Sequence, residues 1–247
     1  MIEPAAPRVA HATESLATPI VGATARRREL FCVAGALSGE DDLATRLSRA
    51  FRAAREFLNA HSAAGVVRAA LEGRAHRDAV IAALDPDLHV GFMSPNEPDA
   101  GEAIAAAATR AGFAHRHARF ASAVIALELG ELTGKSSVTT TILKAHSAEP
   151  ALAARAIEAF VPLEDSATVN EWIDQGIGTH VGLKVASPAA IPEVVQAFLA
   201  EGYRLPSFMR GGTIANPTEG SIVAYVEKVS AATALRIELF SKAERSE

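Results

Sequence analysis

Two stretches of the chain share one alternation of apolar and polar positions. In Leu88–Ser94, Val90 and Phe92 fall on one face of an extended segment, and His89, Gly91 and Met93 on the other. In Thr179–Ala186, Val181, Leu183 and Val185 alternate in the same way with His180, Gly182 and Lys184. A break containing Asn, Ser or Pro follows each stretch. A helical run comes next (97–111 and 188–200), and Gly112 or Gly202 stops it. Ser187 and Pro188 suit the start of the second helix as cap and first helical residue. The segments 114–120, 123–132 and 137–144 then read as strands, with Thr133-Gly134-Lys135 as a hairpin turn before the β-branched third one. After the second helix, 203–209, 221–229 and 234–240 read as strands as well. Both passages predict βαβββ, and each opens on His-Val-Gly, at 89–91 and 180–182, which suggests one unit present twice.

The remaining patterns set the domain plan. Residues 1–28 mix Ala, Pro, Thr and Arg without periodicity and read as a loose tail. Residues 29–84 read as a helical arm. Glu40, Asp41 and Asp42 suit a helix N-terminus, Leu43, Leu47, Phe51 and Leu58 fall near helical spacing, and a second run covers about Ala63–Leu84. The first module is expected over 85–147, opening on the turn Asp85-Pro86-Asp87. A helical connector is expected over 148–175, and the second module over 176–247.

Composition narrows the classes of function. With 247 residues, 49% of them hydrophobic, the chain can bury a sizeable core. A net charge of −5, with Arg26-Arg27-Arg28 as the longest basic block, excludes nucleic acid as the expected partner. The apolar stretches are Ala-rich and interrupted by charge, so no membrane span is expected. The first residues lack the basic start and apolar core of a secretory signal. The lone Cys32 leaves no internal disulfide and fits a reducing, cytoplasmic location.

The strand faces carry the chemistry. In the last strand Leu235, Ile237 and Leu239 point to the helix layer, leaving Arg236, Glu238 and Phe240 on the other face. Both histidines and Glu238 therefore lie on the faces turned away from the helices, which line a cavity if the sheets curve toward one another. A buried carboxylate needs a partner or a metal. Two neutral imidazoles and one carboxylate make a facial triad with about three positions open on an octahedral ion.

These passages resemble the vicinal oxygen chelate superfamily, which includes glyoxalase I, fosfomycin-resistance proteins, extradiol dioxygenases and 4-hydroxyphenylpyruvate dioxygenase. GIGTHVGLKVASPAAIPEVVQAFLAEGYRLP is similar to the family's strand–helix passage and ALRIELF to its closing strand. The similarity is weaker over Leu88–His146, and residues 1–84 lie outside it. The resemblance implies an α+β fold of paired βαβββ modules, forming an open curved sheet around a divalent metal. It implies His89, His180 and Glu238 as the metal ligands. With SVTTTILKAH taken as the first module's closing strand, no carboxylate stands where glyoxalase-like members place a further ligand. That pattern resembles the three-ligand dioxygenases and thiol transferases more than the four-ligand lyases.

Other side chains complete the candidate site. Arg119, Lys184 and Arg210 are candidates for holding an anionic substrate, as is Arg236, alternatively a structural partner of Glu238. Tyr225 is a candidate donor to a bound oxyanion, and Tyr225 and Arg236 are taken as the catalytic pair. His115 and His117 share a strand face. His146 is an alternative ligand, and Glu128 or Glu131 a fourth one if the first module's strands are assigned differently. A loop over 208–219 is placed at the cavity mouth. The expected function is a non-haem Fe(II)-dependent oxygenase, a dioxygenase using dioxygen on a small oxygenated organic acid. The alternatives are a Mn-, Ni- or Zn-dependent lyase, isomerase or thiol transferase, and a metal-free binding protein. The modules pair within one chain or across a homodimer.

Overall fold

The arm supplies helices α1 (Leu43–Ala60), α2 (Ala63–Ala70) and α3 (Arg74–Ala82) in a computed structural model that describes residues 33, 36–39, 41–210, 222–229 and 234–241. The first module follows as β1 (Leu84–Met93), α4 (Ala100–Arg110), β2 (Phe113–Ala121), α5 (Ala123–Thr133), β3 (Thr140–Ser147) and β4 (Arg155–Pro162). Helix α6 (Ser166–Asp174) leads to the second module: β5 (His180–Val185), α7 (Ile191–Ala200), β6 (Arg204–Arg210), β7 (Ile222–Val229) and β8 (Ala234–Ser241).

All eight strands join one sheet in the order β2-β3-β4-β1-β5-β8-β7-β6. Within each module the first and closing strands run parallel, β1 with β4 and β5 with β8, and the others antiparallel. The modules meet at the antiparallel seam β1–β5, where Val90 lies opposite Val181. The expected paired βαβββ fold is therefore present, and both modules lie in one chain. No helix among the described residues is long and apolar enough to cross a membrane.

Asp85-Pro86-Asp87, expected as a turn, lies within β1, at the register shift between Leu84 and Leu88, and two elements of the first module change type. Residues 123–132 form helix α5 and not a strand. Their short apolar run has no clear period, but Ser122 caps the helix by accepting from Ile125 N, and Gly134 ends it with φ +67°. The supposed hairpin turn at 133–135 is that helix stop. The closing strand is β4, in the region expected to be a helical connector. The Ala-rich run that leads into it (Ala151, Ala153, Ala154, Ala156) favours helix. Packed between β3 and β1 and buried on both faces, the strand shows no period-two alternation that would have betrayed it. The first module thus runs to Pro162, with only α6 between it and the second.

The arm belongs to the core. Asp42 caps α1 by accepting from Thr45 N at 2.9 Å, as the acidic run predicts. Phe51 of α1 meets Phe92 of β1 edge to face, with ring centroids 5.4 Å apart. The second helical run of the arm breaks at Leu71–Gly73, so α2 and α3 are separate helices. Helices α1, α2 and α6 pack on β1, α4 on β2 and β3, and α7 on β6, β7 and β8.

Candidate metal centre

Register brings four donors together across the seam. His89 on β1 lies opposite Gly182, and His180 on β5 lies opposite Gly91. Along the parallel pairs, Gly91 aligns with Glu158 of β4 and Gly182 with Glu238 of β8. Each module thus contributes one imidazole and one carboxylate, related by an approximate two-fold axis through Val90 and Val181. All four are buried, at 3% exposure for His89, 6% for Glu158, 0% for His180 and 8% for Glu238. One ligand atom from each lies within 4.8 Å of all the others.

The glycines of the repeated tripeptide make this arrangement possible. A Cβ on Gly91 would overlap the His180 ring, and one on Gly182 would overlap the His89 ring. Each module leaves out a side chain where the other inserts its imidazole. His-Val-Gly is therefore a single interlocking device written twice, and the two rings meet edge to face with centroids 5.5 Å apart.

Charge and hydrogen bonding fit a cation. Glu238 Oε2 lies 3.0 Å from Nε2 of both histidines, and Glu158 Oε2 lies 3.8 Å from His89 Nε2. In an octahedron with bonds of ~2.1 Å, neighbouring donors stand ~3.0 Å apart and opposite ones ~4.2 Å. The three distances of 3.0, 3.0 and 3.8 Å fall in that interval, and the whole donor set lies within 4.8 Å. His180 Nδ1 lies 2.9 Å from the Gly178 carbonyl, so that nitrogen carries the proton and Nε2 presents its lone pair to the cavity. There it has no hydrogen-bond partner, although Glu238 is close, because two acceptors face one another. A divalent ion would satisfy both.

The carboxylates are kept ionised in spite of burial. Burial alone would raise Glu238, but the two imidazoles beside it outweigh that and hold the group below the usual carboxylate range. Glu158 is also lowered: burial opposes its charge, and His89 and Lys144 more than compensate. Lys144 donates to Glu158 Oε1 at 2.6 Å, leaving Oε2 turned toward His89.

Glu158 is the residue that sequence reasoning missed. The carboxylate sought in the first module's closing strand was absent only because β3 was taken for that strand. With β4 in place, the premise for a three-ligand pattern no longer holds. Glu128 and Glu131, the anticipated substitutes, lie on α5 outside the donor group, and His146 on β3 pairs in register with Ala156.

The other anticipated residues divide by location. Tyr225 lies opposite Glu238 in the β7–β8 ladder, buried, with its ring 5.3 Å from that of His180. Burial and the Glu238 charge push its phenol well above the ordinary value, so it remains a donor at neutral pH. Arg236 stacks its guanidinium 4.3 Å from the Tyr225 ring centroid and ion-pairs with Glu128 at 2.6 Å. Phe240, on the same face, lies 5.1 Å from the His89 ring. Lys184 is engaged by Asp85 at 2.7 Å and Asp87 at 3.4 Å. Arg119 and Arg210 occupy β2 and β6, in register with Leu143 and Ile222, but their side chains lie outside the described residues. So do those of His115 and His117, and the loop segment 211–219 is outside entirely.

No family model matches the sequence, and no curated protein matches it. Solved structures align with part of the chain. A hypothetical protein from Bacillus halodurans aligns with 15% identity and a TM-score of 0.41, over 66% of this chain and 96% of that one. Methylmalonyl-CoA epimerase from Mycobacterium tuberculosis aligns with 20% identity and a TM-score of 0.42, over 66% and 92%. A mutant of 4-hydroxymandelate synthase from Streptomyces coelicolor aligns with 8% identity and a TM-score of 0.39, over 65% of this chain and 49% of that one. In strand order and pairing, the chain is two modules of like topology, the first carrying the additional helix α5, joined in one sheet.

Proposed function

We propose that the chain is a divalent-metal enzyme that isomerises or cleaves a small oxygenated organic acid by Lewis-acid chemistry, with Mn, Ni or Zn as the ion. The observation that carries this reading is Glu158. Its carboxylate joins His89, His180 and Glu238 in a buried four-donor set. Two carboxylates and two imidazoles neutralise a dication and suit hard or borderline ions. When bound, the ion polarises the substrate's oxygen atoms and lowers the barrier to breaking the adjacent C–H or C–X bond.

The chain's own groups do the rest. His180 is fixed by the Gly178 carbonyl, so its Nε2 direction is set before anything binds. Lys144 holds Glu158 by one oxygen and keeps the group ionised, leaving the other to face the cavity. Tyr225, protonated at neutral pH, donates to negative charge developing on the substrate oxygen. Phe160 and Phe240, with rings 5.5 and 5.1 Å from those of His180 and His89, keep the surroundings apolar and strengthen these interactions.

One observation favours the Fe(II) oxygenase as a second reading. Glu238 stands 3.0 Å from both imidazoles, whereas Glu158 is farther from His89 and already paired with Lys144. If Lys144 retains Glu158, three ligands remain and positions stay open for substrate and dioxygen. The two readings separate in one experiment. Protein loaded with Mn(II), Ni(II), Zn(II) or Fe(II) is incubated with small 2-oxo and 2-hydroxy acids in D2O, with and without dioxygen. Anaerobic washing-in of deuterium beside the carbonyl, seen by NMR, supports the isomerase or lyase. Oxygen uptake confined to Fe(II) supports the oxygenase. Metal content unchanged in His89→Ala and Glu238→Ala would sink both and favour a metal-free binding protein.

A further inference from the structure

Helix α5 has no counterpart among the described residues of the second module. It leaves the first module between β2 and β3, yet its Glu128 reaches Arg236 on β8 of the second. Arg236 is on the cavity face, two residues before Glu238, so their backbones are ~7 Å apart along the strand. The helix therefore meets the second module at this guanidinium. Its side chains at the contact are buried, 8% exposed for Arg236 and 10% for Glu128.

The pairing is incomplete. A carboxylate that fits a guanidinium well takes two parallel N–H groups, one per oxygen. Here both Glu128 oxygens contact the same nitrogen, Nη2, at 2.6 and 2.7 Å. Arg236 Nε is buried with no hydrogen-bond partner. The guanidinium thus has an unused donor beside the one Glu128 occupies, and it stacks on the Tyr225 ring, which lies 5.3 Å from the His180 ring. The helix itself is lightly held: Ile125, Leu129 and Gly130 are its buried residues, and Leu127 and Leu132 are 46% and 38% exposed.

We propose that Arg236 is the carboxylate-recognition residue of the site and that Glu128 occupies it as an internal stand-in. A substrate carboxylate displaces Glu128, takes Nε and Nη2 together, and releases α5 from the second module. The substrate class that follows is an acid whose carboxylate lies several bonds from the oxygen directed at the four donors. The proposal rests on the reading of those donors as a metal site only for the substrate's second anchor. Displacement of Glu128 from Arg236 does not require the metal.

The test uses the dicarboxylates malonate, succinate and glutarate as probes, titrated calorimetrically with and without Ni(II). Acetohydroxamate, a chelator without a carboxylate, reports on the metal site alone. Glu128→Gln keeps the shape of the latch but removes the competing charge, and should tighten the best dicarboxylate roughly tenfold in both metal states. Arg236→Lys keeps the charge but loses the planar fork, and should weaken it by a similar factor while leaving acetohydroxamate unchanged. Amide exchange over α5 should accelerate when the dicarboxylate is added to wild type. Dicarboxylate affinities equal in wild type, Glu128→Gln and Arg236→Lys, with α5 exchange unaltered, would overturn the proposal. Failure of Ni(II) and acetohydroxamate to bind would remove the metal reading instead. The metal-free titrations would still decide the role of Arg236.

Discussion

The closing strands of the two modules are built to one plan and finished differently. On β8, Glu238 faces Tyr225 of the neighbouring strand and contacts both imidazoles. On β4, Glu158 stands at the matching position, but its neighbour is Lys144, which ion-pairs with it. Duplication supplies the symmetric donors. The residue beside each carboxylate then decides whether that oxygen is committed to the cavity or shared with a cation. One buried carboxylate sits between two imidazoles, and the other is paired with an ammonium.

The largest effect expected from this difference concerns metal affinity. Glu238→Gln or His180→Ala should lower it by more than about a hundredfold, beyond the loss typical of residues outside the ligand shell. Glu158→Gln should cost roughly tenfold less than Glu238→Gln, by competition with a chromophoric chelator. Equal losses would mean that Lys144 does not distinguish the two carboxylates.

Lys144→Met sharpens the same contrast through stability. It leaves a buried carboxylate without its cation, so metal-free protein should lose about 3 kcal/mol in denaturant titrations. A bound dication replaces the missing charge, so metal-loaded protein should lose much less. Tyr225→Phe, at the matching position, removes only a neutral hydroxyl and should cost about 1 kcal/mol in either state.

Gly91→Ala and Gly182→Ala probe what the modules share. Each places a methyl group where the other module's imidazole sits, so each should destabilise by about 1–3 kcal/mol and weaken metal binding. Similar losses in the two variants would establish that the interlock is reciprocal.

The smallest effect is in acid. Both carboxyl groups are held below their ordinary values in the folded chain. Their contribution to stability is therefore complete above the unfolded carboxylate pKa of ~4.3 and is lost as pH falls through the lower folded values. The acid limb of the metal-free stability curve should flatten in Glu238→Gln and, to a lesser degree, in Glu158→Gln.

The second module was largely legible because its strands alternate cleanly and its helix has a Ser-Pro start and a glycine stop. That alternation alone also placed His89, His180 and Glu238 on one face. The first module was harder to read. Strand β4 lies in the middle of the sheet, where both faces are buried, and the Ala-rich run before it favours helix until tertiary packing overrides it. Helix α5 is too short and too uniformly apolar for its period to show, although Ser122 and Gly134 marked its ends. The missed ligand follows from those two exchanges, since Glu158 has no meaning as a donor until β4 is a strand. Arg236 could be assigned to the cavity face from sequence, but its contact with Glu128 spans 108 residues and required the folded chain.

The interlocked glycines and histidines have a consequence for how the molecule comes apart. Every donor sits on β4, β1, β5 or β8, the four adjacent strands at the centre of the sheet. Opening the β1–β5 seam would lift each imidazole off the glycine it covers and draw the two His–Glu pairs away from each other. A bound ion would therefore rivet the two halves of the chain, and its binding energy would add directly to the work of separating them. Resistance to proteolysis between the modules would then report metal occupancy as faithfully as catalysis does.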